Sequence, residues 1–329
     1  MKLLVIGCGS IGKRHIRNLL RISGTVVLAH DAMPDRLRAV ASEYGLRGYT
    51  DLDAALEEKP DGVLVCTPPS SHVPLARRVL EAGAHLFIEK PLADGFAGVD
   101  DLLEDARSGG RCVLVGYNLR FHEGLRRLKR VLDEGRIGCV YAARAEFSVH
   151  VPDYRPEFRE IYMARRDQGG GVFLDHSHEF DYLRWLLGEV RRVGAVASGL
   201  HPLGSDTEEI AEVTLEFESG AIAGVHLDVV GRPYSRGCKL IGERGTVVWT
   251  YPEKGVNVFS AEGKRWERVG EGVGGEVLDD APYIAEMRHF LACVEGKESP
   301  LVDGFSGRRV LEIALAARRA AETGRIVEV

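Results

Sequence analysis

No uninterrupted apolar run in the 329 residues approaches the ~18 that a membrane-spanning helix needs. Residues 3–6 are apolar, but Gly7 ends the stretch before a signal-peptide core can form. A basic block is also missing. Lys and Arg number 43 against 49 Asp and Glu, and the formal charge of −6 lacks the footprint of a nucleic-acid binder. The six cysteines (Cys8, Cys66, Cys112, Cys139, Cys238, Cys293) include no Cys-x-x-Cys pair. That argues against a cysteine zinc site and for free thiols in a reducing compartment. There is no internal repeat and no tether-like linker, and 39 Gly with 13 Pro fall far short of low complexity. The expectation is a soluble, cytoplasmic chain with no membrane or nucleic-acid partner. At roughly 150 residues per domain its length suggests two domains.

The first third alternates short apolar runs (3–6, 26–29, 63–66, 85–88 and 112–115) with amphipathic segments. Near-continuous apolar runs suit parallel strands covered on both faces, so an α/β, doubly wound domain is expected there. Further on, Ala211-Glu212-Val213-Thr214-Leu215-Glu216-Phe217-Glu218 alternates strictly and meets the turn pair Ser219-Gly220. This predicts a half-exposed antiparallel strand entering a hairpin, and runs at 221–230, 238–241, 246–251 and 256–259 resemble it. Val310, Leu311, Ala314 and Leu315 mark a late helix. The second domain is therefore expected to be α+β with a mainly antiparallel sheet, the division falling at 1–121 and 122–329.

Gly7-Cys8-Gly9-Ser10-Ile11-Gly12 matches G-x-G-x-x-G between a strand and a helix. Gly7 allows the tight turn, Gly9 lets backbone approach a pyrophosphate, and Gly12 allows helix and strand to pack closely. The helix N-terminus at Ser10 and Ile11 offers N–H groups to phosphates. Asp31 lies 19 residues after Gly12 at the end of a second strand. A carboxylate there accepts both ribose hydroxyls and repels a 2′-phosphate, which favours NAD over NADP without excluding NADP.

Strand 85–88 runs into Glu89-Lys90-Pro91, at the strand end where open α/β sheets bind ligands. A lysine held there can aim its ammonium at a substrate oxygen. The other conspicuous stretch is Gly169-Gly170-Gly171-Val172-Phe173-Leu174-Asp175-His176-Ser177-His178. Its three glycines predict a close backbone approach. A helix starting near Ser177 would bring His178, Asp181 and Tyr182 together at i, i+3 and i+4. No third ligand cluster accompanies the two histidines, so no metal is expected.

Taken together, these motifs are similar to those of the Gfo/Idh/MocA oxidoreductases over essentially the whole chain. The resemblance rests on the glycine motif, Val65-Cys66-Thr67-Pro68-Pro69-Ser70-Ser71-His72, Glu89-Lys90-Pro91-Leu92-Ala93, Gly116-Tyr117-Asn118-Leu119-Arg120-Phe121 and the triple-glycine stretch ending in Trp185-Leu186-Leu187-Gly188. It implies a Rossmann domain plus an antiparallel-sheet domain whose open face forms subunit contacts, in a homodimer or homotetramer. It implies hydride transfer between the nicotinamide of NAD and a secondary alcohol or ketone of a sugar, polyol or sugar derivative.

By the same resemblance Lys90 bonds the reacting oxygen, His178 is the general acid/base, and Asp175 positions substrate or histidine. Thr67, Pro68 and His72 line the nicotinamide half of the cofactor site, Glu89 and Lys90 border it, and Asn118 lies near the carboxamide or substrate. Two residues separate Asp175 from His178 where the family commonly has three, which leaves His176 as a substitute base. Arg155, Arg159, Arg165 and Arg166 form either an anion-binding cluster or a solvated face. Arg155, Tyr283 and Arg232 are further candidates for the substrate pocket. Two alternatives stay open: a dinucleotide-binding sensor or repressor without turnover, and an enzyme with tightly bound NAD that acts on glycosides by transient oxidation.

Overall fold

A computed structural model describes residues 1–270 and 279–329. The chain divides into two compact units, Met1–Asn118 with Asp280–Arg308, and Leu119–Asp279 with Arg309–Val329.

In the first unit β1 (Lys2–Ile6), β2 (Val26–His30), β3 (Arg47–Tyr49), β4 (Gly62–Val65), β5 (His85–Glu89) and β6 (Val113–Gly116) form one sheet. Its order is β3-β2-β1-β4-β5-β6 and every pairing is parallel. Helices α1 (Ser10–Leu20), α2 (Pro34–Tyr44), α3 (Leu52–Leu56), α4 (His72–Glu81) and α5 (Val99–Ser108) lie between the strands in sequence. β1, β4 and β6 are buried along nearly their whole length, as their unbroken apolar runs require. Because β1 pairs with β2 on one side and β4 on the other, the strand order reverses there, leaving a crevice at the carboxyl ends.

The second unit begins with α6 (Glu123–Asp133) and β7 (Val140–Ser148), followed by the short α7 (Val151–Tyr154) and α8 (Val172–Asp175), then α9 (His178–Leu187). Strands β8 (Val190–Ala197), β9 (Ile210–Phe217), β10 (Ile222–Asp228), β11 (Ser235–Gly242), β12 (Gly245–Thr250), β13 (Val256–Ser260) and β14 (Arg265–Val269) complete most of its sheet. After α10 (Ala281–Val294) and α11 (Gly304–Thr323), β15 (Val327–Glu328) closes one edge. The order is β14-β13-β12-β11-β7-β10-β9-β8-β15, antiparallel except where β7 and β10 run parallel. The strict alternation of β9 buries Ala211, Val213, Leu215 and Phe217 and turns Glu212 and Thr214 to solvent. Among the described residues no helix is long and apolar enough to cross a membrane.

The units differ from the expected 1–121 and 122–329: the first break falls between Asn118 and Leu119, and Asp280–Arg308 returns to the first unit. Met287, Phe290 and Cys293 of α10 join the core formed by Leu3, Ile16, Leu19 and Phe87, so this late helix belongs to the first unit. Apolar spacing reveals that a helix is amphipathic but not which sheet it will cover.

Candidate active site

At the end of β1 the glycine turn is dictated by space. Gly7 has φ +94°, and a Cβ there would lie 2.7 Å from the Cys66 carbonyl oxygen; one on Gly12 would lie 1.8 Å from that of Gly7. Among the described residues nothing within 4 Å would meet a side chain on Gly9, so the backbone is open on that side. Gly9 is also the N-cap of α1 and supplies no side-chain cap, and Ser10 and Ile11 begin the helix. An anionic ligand suits such an end.

Asp31 is nearly fully buried, and its carboxylate is fixed by main-chain donors: Cys8 N–H to Oδ2 and Met33 N–H to Oδ1, each at 2.8 Å. Arg36, in the first turn of α2, reaches Oδ2 at 3.5 Å. The carboxylate thus stands beside the glycine turn with capacity left for ribose hydroxyls. The open glycine cradle and the fixed carboxylate fit NAD.

β1, β4 and β5 are neighbours in register, with Ile6 opposite Val65 and Val65 opposite Ile88. The glycine turn, Thr67-Pro68 and Lys90 therefore stand side by side along the carboxyl edge of the sheet. Ser71 Oγ lies 2.8 Å from the Pro68 carbonyl, to which it donates, and 2.7 Å from Thr67 Oγ1. His72, expected to line the cofactor, is fully buried behind this loop. Its Nε2 is 2.8 Å from the Thr67 carbonyl oxygen and its Nδ1 is 3.0 Å from that of Pro91. Burial pushes the His72 pKa down. His72 is thus a brace between two loops and has no surface for a ligand.

Glu89 is likewise turned inward, accepting from the Lys90 main-chain N–H at 3.1 Å and contacting His15 Nε2 at 2.5 Å. Lys90 is half-buried and the Lys90–Pro91 peptide is cis. Asn118 is buried at the end of this unit, two residues past β6. Tyr283, expected in the substrate pocket, packs instead within the first unit, under the Arg14 guanidinium at 4.7 Å and edge-on to His15.

In the second unit the triple glycine meets its own chain. A Cβ on Gly170 would lie 2.2 Å from the Tyr162 carbonyl oxygen, so the close backbone approach read from the sequence is to residues 162–163. That approach lets the Tyr162 hydroxyl donate to Asp175 Oδ1 at 2.5 Å, at the end of α8. The other Asp175 oxygen lies 3.3 Å from His176 Nδ1. His176 is nearly fully buried, edge-on to Phe147 with ring centroids 4.4 Å apart, a core position that disfavours it as a substitute base. His178 opens α9 with 8% of its surface exposed.

The grouping of His178 with Asp181 and Tyr182 is not what the structure uses. Asp181 takes Arg120 in a buried bidentate pair, Nε to Oδ2 at 2.6 Å and Nη2 to Oδ1 at 2.8 Å. The Tyr182 hydroxyl faces the Gly237 carbonyl at 3.4 Å. Three of the four clustered arginines are held within their own unit: Arg159 by the Leu203 carbonyl, Arg165 by Asp167 and Arg166 by Glu208. Arg155 caps the short α7 through its main chain. Arg232 pairs with Asp153 at 2.7 Å, which holds that carboxyl down at about 2.

Sequence reasoning missed Arg36, His15 and Tyr162. Arg36 follows Asp31 by five residues in a helix start, a usable signal. His15 and Tyr162 have none, since their partners lie 74 and 13 residues away. Among the described residues no group of three or more His, Cys, Asp or Glu is placed to hold a metal ion.

Comparison with known proteins agrees with this architecture. Residues 1–117 match the oxidoreductase family with an NAD-binding Rossmann fold (GFO/IDH/MocA), and residues 125–248 match the GFO/IDH/MocA C-terminal domain. The chain is 30% identical over 340 positions to the myo-inositol 2-dehydrogenase of Thermotoga maritima, covering 100% of this chain and 98% of that one. It is 27% identical to the scyllo-inositol 2-dehydrogenase (NAD(+)) of Bacillus subtilis, covering 98% and 95%. A levoglucosan dehydrogenase solved with NADH and levoglucosan has the same fold, with a TM-score of 0.90 at 22% identity over 100% of this chain and 99% of that one.

Proposed function

The chain belongs to the GFO/IDH/MocA oxidoreductases and is an NAD-dependent dehydrogenase, and from that premise we propose which residues act and on what. The substrate is a secondary alcohol on the ring of a cyclic polyol or sugar, oxidised to the ketone in a reversible reaction. Inositols are the first class to test, because curated relatives carry that name.

NAD, when bound, supplies the acceptor for a hydride. The Lys90 ammonium donates a hydrogen bond to the reacting oxygen and favours the alkoxide-like charge that develops there. His178 takes the hydroxyl proton, as an imidazole suits near neutral pH. Asp175, held by Tyr162, orients substrate or histidine. Thr67 and Pro68 face the nicotinamide half, while Asn118 and Arg155 take substrate hydroxyls.

The observation that carries this reading is the alignment of the glycine turn, Thr67-Pro68 and Lys90 along adjacent strand ends. The test follows NADH absorbance with NAD and a panel of inositols, sugars, uronates and nucleotide sugars. Wild type should turn over at least one class. Lys90→Met and His178→Asn should each lose about 10²–10⁴-fold in kcat. Variants that keep wild-type turnover would overturn the assignment. NAD binding with no turnover across the panel would favour the sensor or bound-cofactor alternatives.

A further inference from the structure

Helix α1 carries a histidine that a dinucleotide cradle does not require. His15 is fully buried, its ring edge-on to Phe87 of β5 (centroids 5.2 Å) and to Tyr283 of α10 (5.9 Å). Among the described residues its Nδ1 has no protein partner, whereas Nε2 lies 2.5 Å from Glu89 Oε1. Nε2 is therefore the nitrogen that carries the proton, because a carboxylate oxygen can only accept from it. The second oxygen of the same carboxylate, Oε2, accepts the main-chain N–H of Lys90 at 3.1 Å. One buried carboxylate thus bridges the helix that starts on the glycine turn and the peptide that carries the catalytic ammonium. Apolar residues would fill the same space with less desolvation.

We propose that His15 and Glu89 are positioning residues: together they form a buried strut that fixes the Lys90 main chain relative to the helix on which the coenzyme pyrophosphate sits. The inference rests on the reading of Lys90 as the residue that bonds the reacting oxygen. Through the strut, the helix that receives the phosphates and the group that meets the substrate oxygen share one reference frame. A misplacement of about 1 Å at a reacting group costs on the order of 10²-fold in rate, so such a strut has something to protect.

The test compares His15→Ala, His15→Gln and Glu89→Ala with Lys90→Met as the reference. Glutamine sets an amide N–H close to where the imidazole Nε2–H stands, so it keeps the bond while discarding the ring. Both alanine variants should lose about 10–10²-fold in kcat, with KM and the NAD dissociation constant measured without substrate held within about twofold. His15→Gln should recover most of the loss. A second readout needs neither coenzyme nor turnover. The acylation rate of the Lys90 amine, followed by peptide mapping in coenzyme-free protein, should change in both alanine variants and return in His15→Gln.

Wild-type kcat and wild-type Lys90 labelling in His15→Ala, beside an inactive Lys90→Met, would overturn the strut and leave the role of Lys90 standing. An active Lys90→Met would instead sink the catalytic reading, and the labelling rates would then decide the strut alone. If His15→Gln behaves like His15→Ala, ring packing replaces the hydrogen bond and the proposal is overturned.

Discussion

Asp31, the residue proposed to select the coenzyme, is fixed by its own surroundings. Two main-chain amides hold its carboxylate in a single orientation, so its charge sits at a fixed place beside the glycine turn. Hydrogen bonds to a charged group are worth about 1.5–3 kcal/mol, which is on the order of 10–10²-fold in binding. Asp31→Asn keeps the shape and removes the charge, leaving Arg36 nearby to meet a phosphate. The ratio of kcat/KM with NAD to that with NADP should therefore fall by about 10–10²-fold. An unchanged ratio would mean that the carboxylate is not what rejects the 2′-phosphate. Asp31 was legible from spacing alone, because the length of a strand–helix–strand unit fixes its distance from the glycines. Arg36 was legible in part. Tyr162 was not, since its contact with Asp175 depends on a turn through the triple glycine.

Elements in the second unit are tied by charges across strands. His226 of β10 bonds Glu212 of β9 at 2.7 Å and Asp228 at 2.8 Å. The hydrogen bond to Asp228 raises the His226 pKa to about 9, against the opposing effect of burial. The sign follows from linkage: a group whose folded pKa exceeds its unfolded value stabilises fully below the unfolded value and loses that contribution as pH rises through the folded one. Stability should therefore decline between about pH 6.5 and 9, and His226→Gln should flatten that part of the curve. Thermal melts of both proteins across this range check it, and parallel curves would show that the cross-strand charge contributes nothing measurable. On α9, by contrast, Asp181 looked like a companion of His178 because helix periodicity places them on one face. The structure pairs it with Arg120 instead, within the second unit.

Across the whole molecule, one face of the nine-stranded sheet carries an aligned row that is apolar except at Thr246. Ile222 stands opposite Ala142, Ala142 opposite Ile241, Ile241 opposite Thr246, Thr246 opposite Phe259, and Phe259 opposite Trp266. Ile222 and Trp266 are more than half exposed. Ala142, Thr246 and Phe259 between them are half-buried, and a row of this kind is what a second copy of the chain would cover. Sedimentation should give a dimer or larger assembly for the wild type, and Ile241→Glu with Trp266→Glu should shift it to monomer. A monomeric wild type, or an unchanged mass in the variant, would rule the face out. The sequence showed that a mainly antiparallel sheet exists but missed β7, whose Arg144 and Glu146 break up its apolar content, and with it the parallel pairing to β10.

The sequence by itself determined everything that depends on local spacing. The parallel sheet follows from its unbroken apolar runs, the glycine turn from its three glycines, the place of the Asp31 carboxylate from its distance to them, and the catalytic candidates from Glu89-Lys90-Pro91 and the Asp175–His178 stretch. Only the tertiary structure decided what long-range packing controls. It brought α10 back to the first unit, where Asp280 meets Arg17 at a separation of 263 residues. It turned His72 and Glu89 inward as braces, and packed Tyr283 against α1. The physical reason is one of range. Backbone periodicity and turn chemistry are set by neighbours in the chain, whereas the partner of a buried polar group is whatever the finished core places beside it.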